Sequence, residues 1–287
     1  MNRFIIPCLA GLVFACAQSP AKAQEFKERV TKEFTLSNGA AASTLVIYNI
    51  NGLIDVEGKS GNNVSFAVNK RITAKDNETL EEGKRELKLA FEQKGDTIIA
   101  YIAEPFDSRP NRNNRQDRNN HIEYDFTLDF TVTVPRAMNV HVSTVNQGNV
   151  TIKDVSGSIR AQNVNGAVRL TNVQGATNAH TINGNVEANY LTNPPDKSSY
   201  YTLNGDIKVS YPANFSADLQ FKTFQGNFNT DFPDVEILPA KVTKSEDRRD
   251  NKTVFKLDKT TAIRIGKGGK TLRFETFNGN VYIKKQS

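Results

Sequence analysis

Tryptophan is absent from the 287 residues, and the chain has only two cysteines, two methionines and three histidines. Both cysteines, Cys8 and Cys16, lie near the N-terminus, inside a segment that we expect to be removed. Disulfides, thiol catalysis and cysteine metal sites are therefore excluded from the mature chain. The histidines His121, His141 and His180 share no spacing typical of metal ligands, so we expect neither a metal nor another cofactor.

Long apolar runs are missing beyond the N-terminus. Residues 4–17 form an uncharged apolar stretch, shorter than the roughly 20 residues that span a bilayer, and Ala-Lys-Ala at 21–23 supplies a cleavage point. These features predict a signal peptide over residues 1–23 and an extracytoplasmic location, whether periplasmic, secreted or surface-associated, with no transmembrane span after cleavage. Lipoprotein cleavage at Cys16 is the alternative, but Phe14 stands where such sites carry a small residue.

The chain also lacks a large excess of charge of one sign. Lys and Arg number 37 against 31 Asp and Glu, a formal net charge of +6. A charge this small on a chain of this length is ordinary solvation, so we expect no nucleic-acid partner. The glycine-rich residues 266–269 lack the spacing of a phosphate-binding loop and are interpreted as a turn.

The most informative feature that is present is a repeat. A glycine recurs every nine residues from 148 to 184, and the pattern resumes three times nearer the C-terminus. A polar turn former, usually Asn or Gln, comes immediately before each glycine, and apolar residues stand two positions before and after most of them. The predicted structural corners are Gly148, Gly157, Gly166, Gly175, Gly184, Gly205, Gly226 and Gly279.

Each unit is interpreted as one short strand and one corner. Asn-Gly and Gln-Gly accept the left-handed backbone of tight turns, and alternating apolar residues point to one side of a strand. A single unit cannot bury its apolar face, so units must stack, and two of them complete a coil of about 18 residues. We therefore predict an all-β fold of the flattened β-helix, or solenoid, type.

The N-terminal third is less regular. Residues 44–56 read as two strands around a corner at Asn51-Gly52, and residues 124–134 alternate as a long strand that Pro135 ends. Residues 76–85 favour a short helix with acidic residues in its first turn. We expect an irregular β-rich cap region over residues 24–135, with one short helix, followed by a β-helix repeat region over residues 136–287 that is continuous with the cap as one domain.

Several motifs together carry a family resemblance. They are Val-Thr-Val-Pro at 132–135, Asn-Gln-Gly-Asn-Val at 146–150, the glycine units, and Gly-Lys-Gly-Gly at 266–269 followed by Thr-Phe-Asn-Gly-Asn-Val at 276–281. Over roughly residues 44–284 the chain resembles the bacterial putative-adhesin family, a domain of unknown function related to the head domains of auto-transporter-like adhesins. The resemblance implies a right-handed single-stranded β-helix, an extracytoplasmic location and no established enzyme activity. Gln147 departs from the Asn-Gly that the family usually has at this corner.

Our functional hypothesis is an exported, non-catalytic binding module or cell-envelope scaffold, with a cell-surface glycan or envelope component as partner. A polysaccharide-acting enzyme is the alternative, because Asp154 and Glu187 would lie about two coils apart, roughly 9–10 Å, a separation compatible with glycoside hydrolysis. An envelope-stress sensor component is the third hypothesis. Calcium-binding nonapeptide repeats need an aspartate in every unit, and the chain does not supply one.

We expect ligand contacts in the irregular loops, because loops on a rigid scaffold gather function. Residues 104–121 carry an arginine every three residues, which would suit an anionic surface or simply form a solvated hairpin tip. The tyrosines around Pro194 and Pro195 would form a sugar-stacking platform or pack this bulge against the coils. The candidate contact residues are Arg109, Arg112, Arg115, Arg118, Tyr190, Tyr200 and Tyr201, and we predict no catalytic residue.

Overall fold

The computed structural model describes residues 23–110, 122–195, 197–249 and 252–286. Within these ranges the chain forms two β-sheets, one α-helix, α1 (Asn77–Glu86), and a 3₁₀ turn at Ala40–Ala42. The prediction of an all-β protein with one short helix is confirmed for this part of the chain.

Sheet A has ten described strands and sheet B has eleven. In spatial order, sheet A contains β1 (Gln24–Thr35), β4 (Asn63–Ala74), β7 (Asp125–Pro135), β3 (Ile54–Lys59), β9 (Val150–Lys153), β11 (Val168–Val173), β13 (Val186–Tyr190), β15 (Ile207–Tyr211), β21 (Val281–Lys285) and β17 (Phe228–Thr230). Sheet B contains β18 (Val235–Arg249), β19 (Lys252–Ile265), β16 (Ala217–Gln225), β20 (Thr271–Asn278), β14 (Ser199–Asn204), β12 (Thr177–His180), β10 (Ile159–Gln162), β8 (Asn139–Ser143), β2 (Thr44–Tyr48), β6 (Thr97–Glu104) and β5 (Lys88–Lys94).

From β8 to β15 the chain alternates between the sheets, so that each coil contributes one strand to each. Neighbouring coils pair in parallel: Ile159 lies beside Thr177, 18 residues on, and Val186 lies beside Ile207, where a corner holds three more residues. This is the stacking that the nine-residue period predicts. Inward side chains form columns between the sheets, and their removal from water is the main stabilising contribution. One such column is Val150, Val168, Val186, Ile207 and Val281.

The parallel ladders begin before residue 136, because β2 and β3 pair in parallel with β8 and β9. Beyond β7 and β6, the strands β4, β1 and β5 add in antiparallel fashion and cover this end of the coil. Helix α1 packs against the same end with Leu80 and Gly83 buried. The carboxylate of Asp76 accepts a hydrogen bond from the Thr79 N–H at 2.8 Å, which caps the first turn of the helix.

At the other end, the spatial order departs from the chain order. The last two strands of the chain, β20 and β21, lie between the coil of β14 and β15 and the coil of β16 and β17. The outer edge of β16 is taken by β19, which pairs with it in antiparallel fashion and forms a long hairpin with β18. The final strands therefore occupy the inner edge of β16.

The corner glycines are required for a reason other than the one predicted. Backbone φ lies outside the left-handed region at Gly166, so the expectation of a left-handed corner there is wrong. A Cβ on Gly166 would lie within 3.0 Å of the carbonyl oxygen of Gly148 in the preceding coil. Close stacking of coils therefore excludes a side chain. The same overlap with the neighbouring coil's backbone occurs at Gly148, Gly157, Gly175, Gly184, Gly205, Gly226 and Gly279.

Side-chain hydrogen bonds tie these corners together. The Asn165 Nδ2 donates to Asn146 Oδ1 at 2.8 Å, and Asn183 Nδ2 donates to Asn165 Oδ1 at 2.8 Å. Inside the corner, the Thr181 hydroxyl donates to the Gly166 carbonyl at 2.7 Å. Asn146, rather than Gln147, occupies the ladder position, and Gln147 is an additional residue with φ of 58°. The polar positions of the repeat are thus engaged in holding the stack together.

Candidate functional site

The outer face of sheet B presents side chains in rows that run across the strands. Residues that face the core alternate with residues that face outward, and parallel pairing in register places equivalent outward residues side by side. We define three rows by their members. The basic row is His141, Arg160, Asn178, Ser199 and Arg273, and the aromatic row is Tyr48, Ser143, Gln162, His180 and Tyr201. The apolar row is Val164, Ile182 and Leu203, which directly precede the bridged corner residues Asn165, Asn183 and Asn204, followed by Phe277 and Phe224.

A groove of about 200 Å³ opens at the start of the first two rows. His141 and Arg160 are register partners on adjacent strands and form its floor with Gln162, while Tyr48 and Pro110 lie at its side. The pKa of His141 is lowered, first because the ring is partly withdrawn from water and second because of the charge of Arg160. The groove therefore brings the side chains of His141 and Arg160 together, and none of the residues that line it is acidic.

Arg160 is exposed, and no residue in the described part of the chain forms a hydrogen bond or an ion pair with its guanidinium. The neighbouring strands supply no acid: β2, β8, β10, β12 and β14 contain neither Asp nor Glu. A guanidinium presents a planar fork of donors that matches a carboxylate, sulfate or phosphate group. Among the described residues, the groove therefore has no partner of Arg160 that an incoming anion would have to displace.

The outer face of sheet A differs in charge. Arg169 pairs with Glu187 at 3.3 Å, and Lys208 pairs with Asp206 at 3.8 Å. A cavity of about 390 Å³ on this sheet has Asp55, Glu57, Lys153 and several threonines along its walls. Because both signs of charge alternate on sheet A, it is less suited than sheet B to an anionic ligand.

The segment after β6 folds back over sheet B and forms one wall of the groove. The Ser108 hydroxyl donates to the carbonyl of Tyr48 at 2.8 Å and accepts from the Ile102 N–H at 2.9 Å. Arg109 lies over the ring of Tyr101 at 3.8 Å and pairs with Asp107 at 2.6 Å. Arg109 is thus a largely buried anchor of this wall instead of a free ligand contact.

Most of the other predicted contact residues are buried in the core or lie outside the described residues. Tyr190 and Tyr200 are 0% and 1% exposed, and their hydroxyls share a hydrogen bond of 2.7 Å. They pack the core, so the interpretation as a surface platform does not apply to them. Tyr201 faces outward and contacts the ring of His180, with 4.4 Å between centroids. Arg112, Arg115 and Arg118 lie outside the described residues, as does His121.

The carboxylates considered for catalysis each have their own partners. Asp154 lies 3.6 Å from Arg136 and accepts a hydrogen bond from Asn172 at 3.1 Å, whereas Glu187 pairs with Arg169. Within the described ranges there is no cluster of three or more His, Cys, Asp or Glu residues that would hold a metal ion. No helix in this part of the chain is long and apolar enough to cross a membrane.

Arg160 and Arg273 were missed by reasoning that looked for function in loops. The signal was nevertheless in the sequence, because Arg160 follows the corner Gly157 by three residues, a position that faces outward in every regular unit. The same position holds Arg169 and Lys208 in units of sheet A, where Glu187 and Asp206 pair with them, so comparing the units of sheet B alone would have identified Arg160 as a cation among uncharged residues. The repeat predicts which residues share a row once the coil length is known.

Two solved structures are similar to this chain at low sequence identity. A putative cell adhesion protein from Clostridium sporogenes is 13% identical, with a TM-score of 0.43 over 90% of this chain and 100% of that one. A putative adhesin from Bacteroides fragilis is 12% identical, with a TM-score of 0.36 over 90% of this chain and 97% of that one. No curated protein matches the chain. The family model described as Toastrack DUF4097 matches residues 35–283, which confirms the resemblance, and the chain belongs to this family.

Proposed function

We propose that the protein is a binding module of the adhesin or cell-envelope scaffold type, whose groove on sheet B binds an acidic group of a cell-surface glycan. The observation that carries this proposal is Arg160 beside His141, on a stretch of five strands without an acid, where no described residue pairs with the guanidinium. A cation that has no ion pair with the described residues keeps its attraction for an incoming anion. Binding of the anion to Arg160 then breaks no ion pair within this part of the chain.

The other groove residues support a sugar as the bearer of the acidic group. Tyr48, Ser143 and Gln162 place a phenol ring, a hydroxyl and an amide around Arg160. A ring and a few fixed polar groups are what a pyranose needs, because it has apolar C–H faces and hydroxyls at its rim. The aromatic ring of Tyr48 also faces a groove wall that the Ser108 hydrogen bonds hold in place.

Export is a further part of the proposal. The apolar stretch and the Ala-Lys-Ala triplet support removal of residues 1–23, and the first described strand begins at Gln24. After removal, residues 24–135 and 136–287 would form a cap region and a repeat region of one domain, which the continuous parallel ladders support. Right-handed winding of the coil is proposed because crossover connections between parallel strands are overwhelmingly right-handed.

A binding role is better supported than the polysaccharide-cleaving alternative. Glycoside hydrolysis needs two carboxylates that face one substrate. Asp154 and Glu187 instead lie in separate ion pairs, with Arg136 and Arg169, on the sheet opposite to the groove.

The test is calorimetric titration of the purified protein with tetragalacturonate and with a sulfated heparin tetrasaccharide. Arg160→Gln should weaken binding about 10-fold to 100-fold, since a hydrogen bond to a charged group contributes roughly 1.5–3 kcal/mol. Arg169→Gln is the matched control, because it removes the same charge from the outer face of sheet A and should leave affinity unchanged. Raising the salt concentration should weaken binding by the native protein more than by Arg160→Gln.

Methyl-esterified tetragalacturonate provides the ligand-side control, because it keeps the sugar chain and removes the negative charges. It should bind no better to the native protein than to Arg160→Gln. The proposal is refuted if neither acidic oligosaccharide binds, or if Arg160→Gln and Arg169→Gln have equal effects on binding. Thermal unfolding of both variants should match that of the native protein, since both side chains are exposed.

A further inference from the structure

The basic row contains a second arginine with no partner. Arg273 on β20 is exposed, and no described residue forms an ion pair or a side-chain hydrogen bond with it. It lies in register with Ser199, which follows Asn178 and then Arg160 along the same row. Arg160 and Arg273 are therefore separated by three strand spacings, about 14 Å. Two guanidiniums that pair with no described residue therefore lie in one row, three strands apart.

Between these arginines, the neighbouring row offers a stacking surface. His180 and Tyr201 contact each other with 4.4 Å between ring centroids, and both side chains are half-buried on the outer face. The pKa of His180 is lowered by withdrawal of its ring from water, so the pair is a largely neutral aromatic surface near neutral pH. Aromatic faces of this kind pack against the C–H faces of sugars.

The apolar row borders this surface along its whole length. Val164, Ile182 and Leu203 are each partly exposed at successive coils, and the row ends at Phe277 and Phe224. The rings of Phe277 and Phe224 stack with centroids 4.7 Å apart, and Phe224 is 71% exposed. A charged row, an aromatic row and an apolar row thus run side by side across the strands.

We propose, as an extension that rests on the function proposed above, that the ligand is a linear acidic polysaccharide lying across the strands, parallel to the solenoid axis. One acidic group would bind Arg160 in the groove and another would bind Arg273, with the intervening sugars over His180 and Tyr201. The spacing between strands is close to the advance per residue of an extended pyranose chain. From Tyr48 to Tyr201 the contact surface covers four strand spacings, about 19 Å, which corresponds to roughly four sugar residues.

Charge complementarity selects this occupant over an apolar partner. The face has Arg160, Arg273 and His141 in one row, and the acid in register with Tyr201, Glu275, is paired with Lys222 at 3.5 Å. A compact ligand, such as one terminal acidic sugar, would fill the groove and make no use of Arg273. The length of the bound chain therefore distinguishes a polymer from a terminal sugar.

The experiment is a titration with oligogalacturonates of two, four, six and eight residues. Affinity should rise at least tenfold between the disaccharide and the hexasaccharide and then level off, because further residues extend past Arg273. Arg273→Gln should lower affinity for the hexasaccharide about tenfold and leave the disaccharide unchanged, whereas Arg160→Gln should weaken both. Tyr201→Ala should also affect only the longer oligomers, and Arg169→Gln is again the matched control.

The outcomes separate this inference from the proposed function. If the disaccharide and the hexasaccharide bind equally, or if Arg273→Gln binds the hexasaccharide as tightly as the native protein does, the polymer arrangement is wrong while the groove function stands. If no acidic oligomer binds at any length, the groove function itself fails. Unchanged thermal unfolding of Arg273→Gln shows that any loss of affinity reflects a lost contact.

Discussion

Gly166→Ala tests the physical reason for the corner glycines. A Cβ at this position would overlap the carbonyl oxygen of Gly148 and the side-chain amide of Asn163. Relief of the overlap must separate two coils that are joined here by Asn163 Nδ2 to Gly148 O at 2.9 Å and by Thr181 Oγ1 to Gly166 O at 2.7 Å. Two weakened hydrogen bonds at roughly 1 kcal/mol each, with about 1–3 kcal/mol of overpacking strain, predict a loss of about 3–5 kcal/mol.

Two other glycines separate steric overlap from backbone conformation. Gly95 has φ of +58° with no atom within 4 Å of an added Cβ, so Gly95→Ala should cost only about 1–2 kcal/mol. Gly39 has φ of −58° and equally open surroundings, so Gly39→Ala should be neutral or stabilising by roughly 0.4–1 kcal/mol. Urea unfolding followed by far-UV circular dichroism is the assay, since tryptophan fluorescence is absent. If Gly166→Ala costs no more than Gly95→Ala, close coil stacking is not what requires glycine.

Three further predictions address the leader, the core and the groove. The exported protein should have the mass of a chain beginning at Gln24, and a species beginning with acylated Cys16 would contradict both the leader and the cleavage site. Tyr200→Phe should lower the free energy of unfolding by about 1–3 kcal/mol, because it breaks the buried hydrogen bond to Tyr190. Tyr201→Phe should change it by less than about 0.5 kcal/mol, and equal losses in the two variants would contradict the burial of the Tyr200 hydroxyl. Affinity for an acidic glycan should rise as the pH falls from neutral, because partial burial and the charge of Arg160 lower the pKa of His141 and keep the free ring neutral at pH 7, while a bound anion favours its protonation. An unchanged pH profile in His141→Gln would contradict this.

The coil was predictable because its causes are local. A glycine every nine residues and apolar residues on both sides of it determine the strand, the corner and the inward face, and Val150, Val168 and Val186 are all buried in one column. The corner at Asn51-Gly52 and the helix near residues 76–85 were also visible from local patterns, and the structure has α1 at Asn77–Glu86. In each case the pattern that predicts the element, either apolar alternation or helix capping, lies within a few neighbouring residues.

The order of the coils at the C-terminal end was not predictable in the same way. Alternation shows which side chains of β20 and β21 face the core, but it does not show which strands they pair with. The pairing depends on β16, whose other edge is occupied by the hairpin of β18 and β19. That hairpin lacks the glycine repeat, so the pattern that predicts the coils does not predict it. Which strand pairs with each edge of β16 depends on segments that are distant in sequence and meet only in the assembled sheet.

The location of the candidate site follows from a difference between corner positions and outward strand positions. Glycine, asparagine and threonine at the corners are committed to coil stacking through overlaps and hydrogen bonds, as Gly166, Asn165 and Thr181 show. At the outward positions of Arg160 and Arg273 the side chains make no such contact with the described residues, so the residue type at these two positions can change without loss of the fold. Arg160 and Arg273 stand at such positions, and the backbone register alone sets the distance between them. A ligand that binds both arginines must therefore have acidic groups at a distance that matches the spacing of the strands. A linear chain with regularly spaced charges meets this condition better than a compact molecule does.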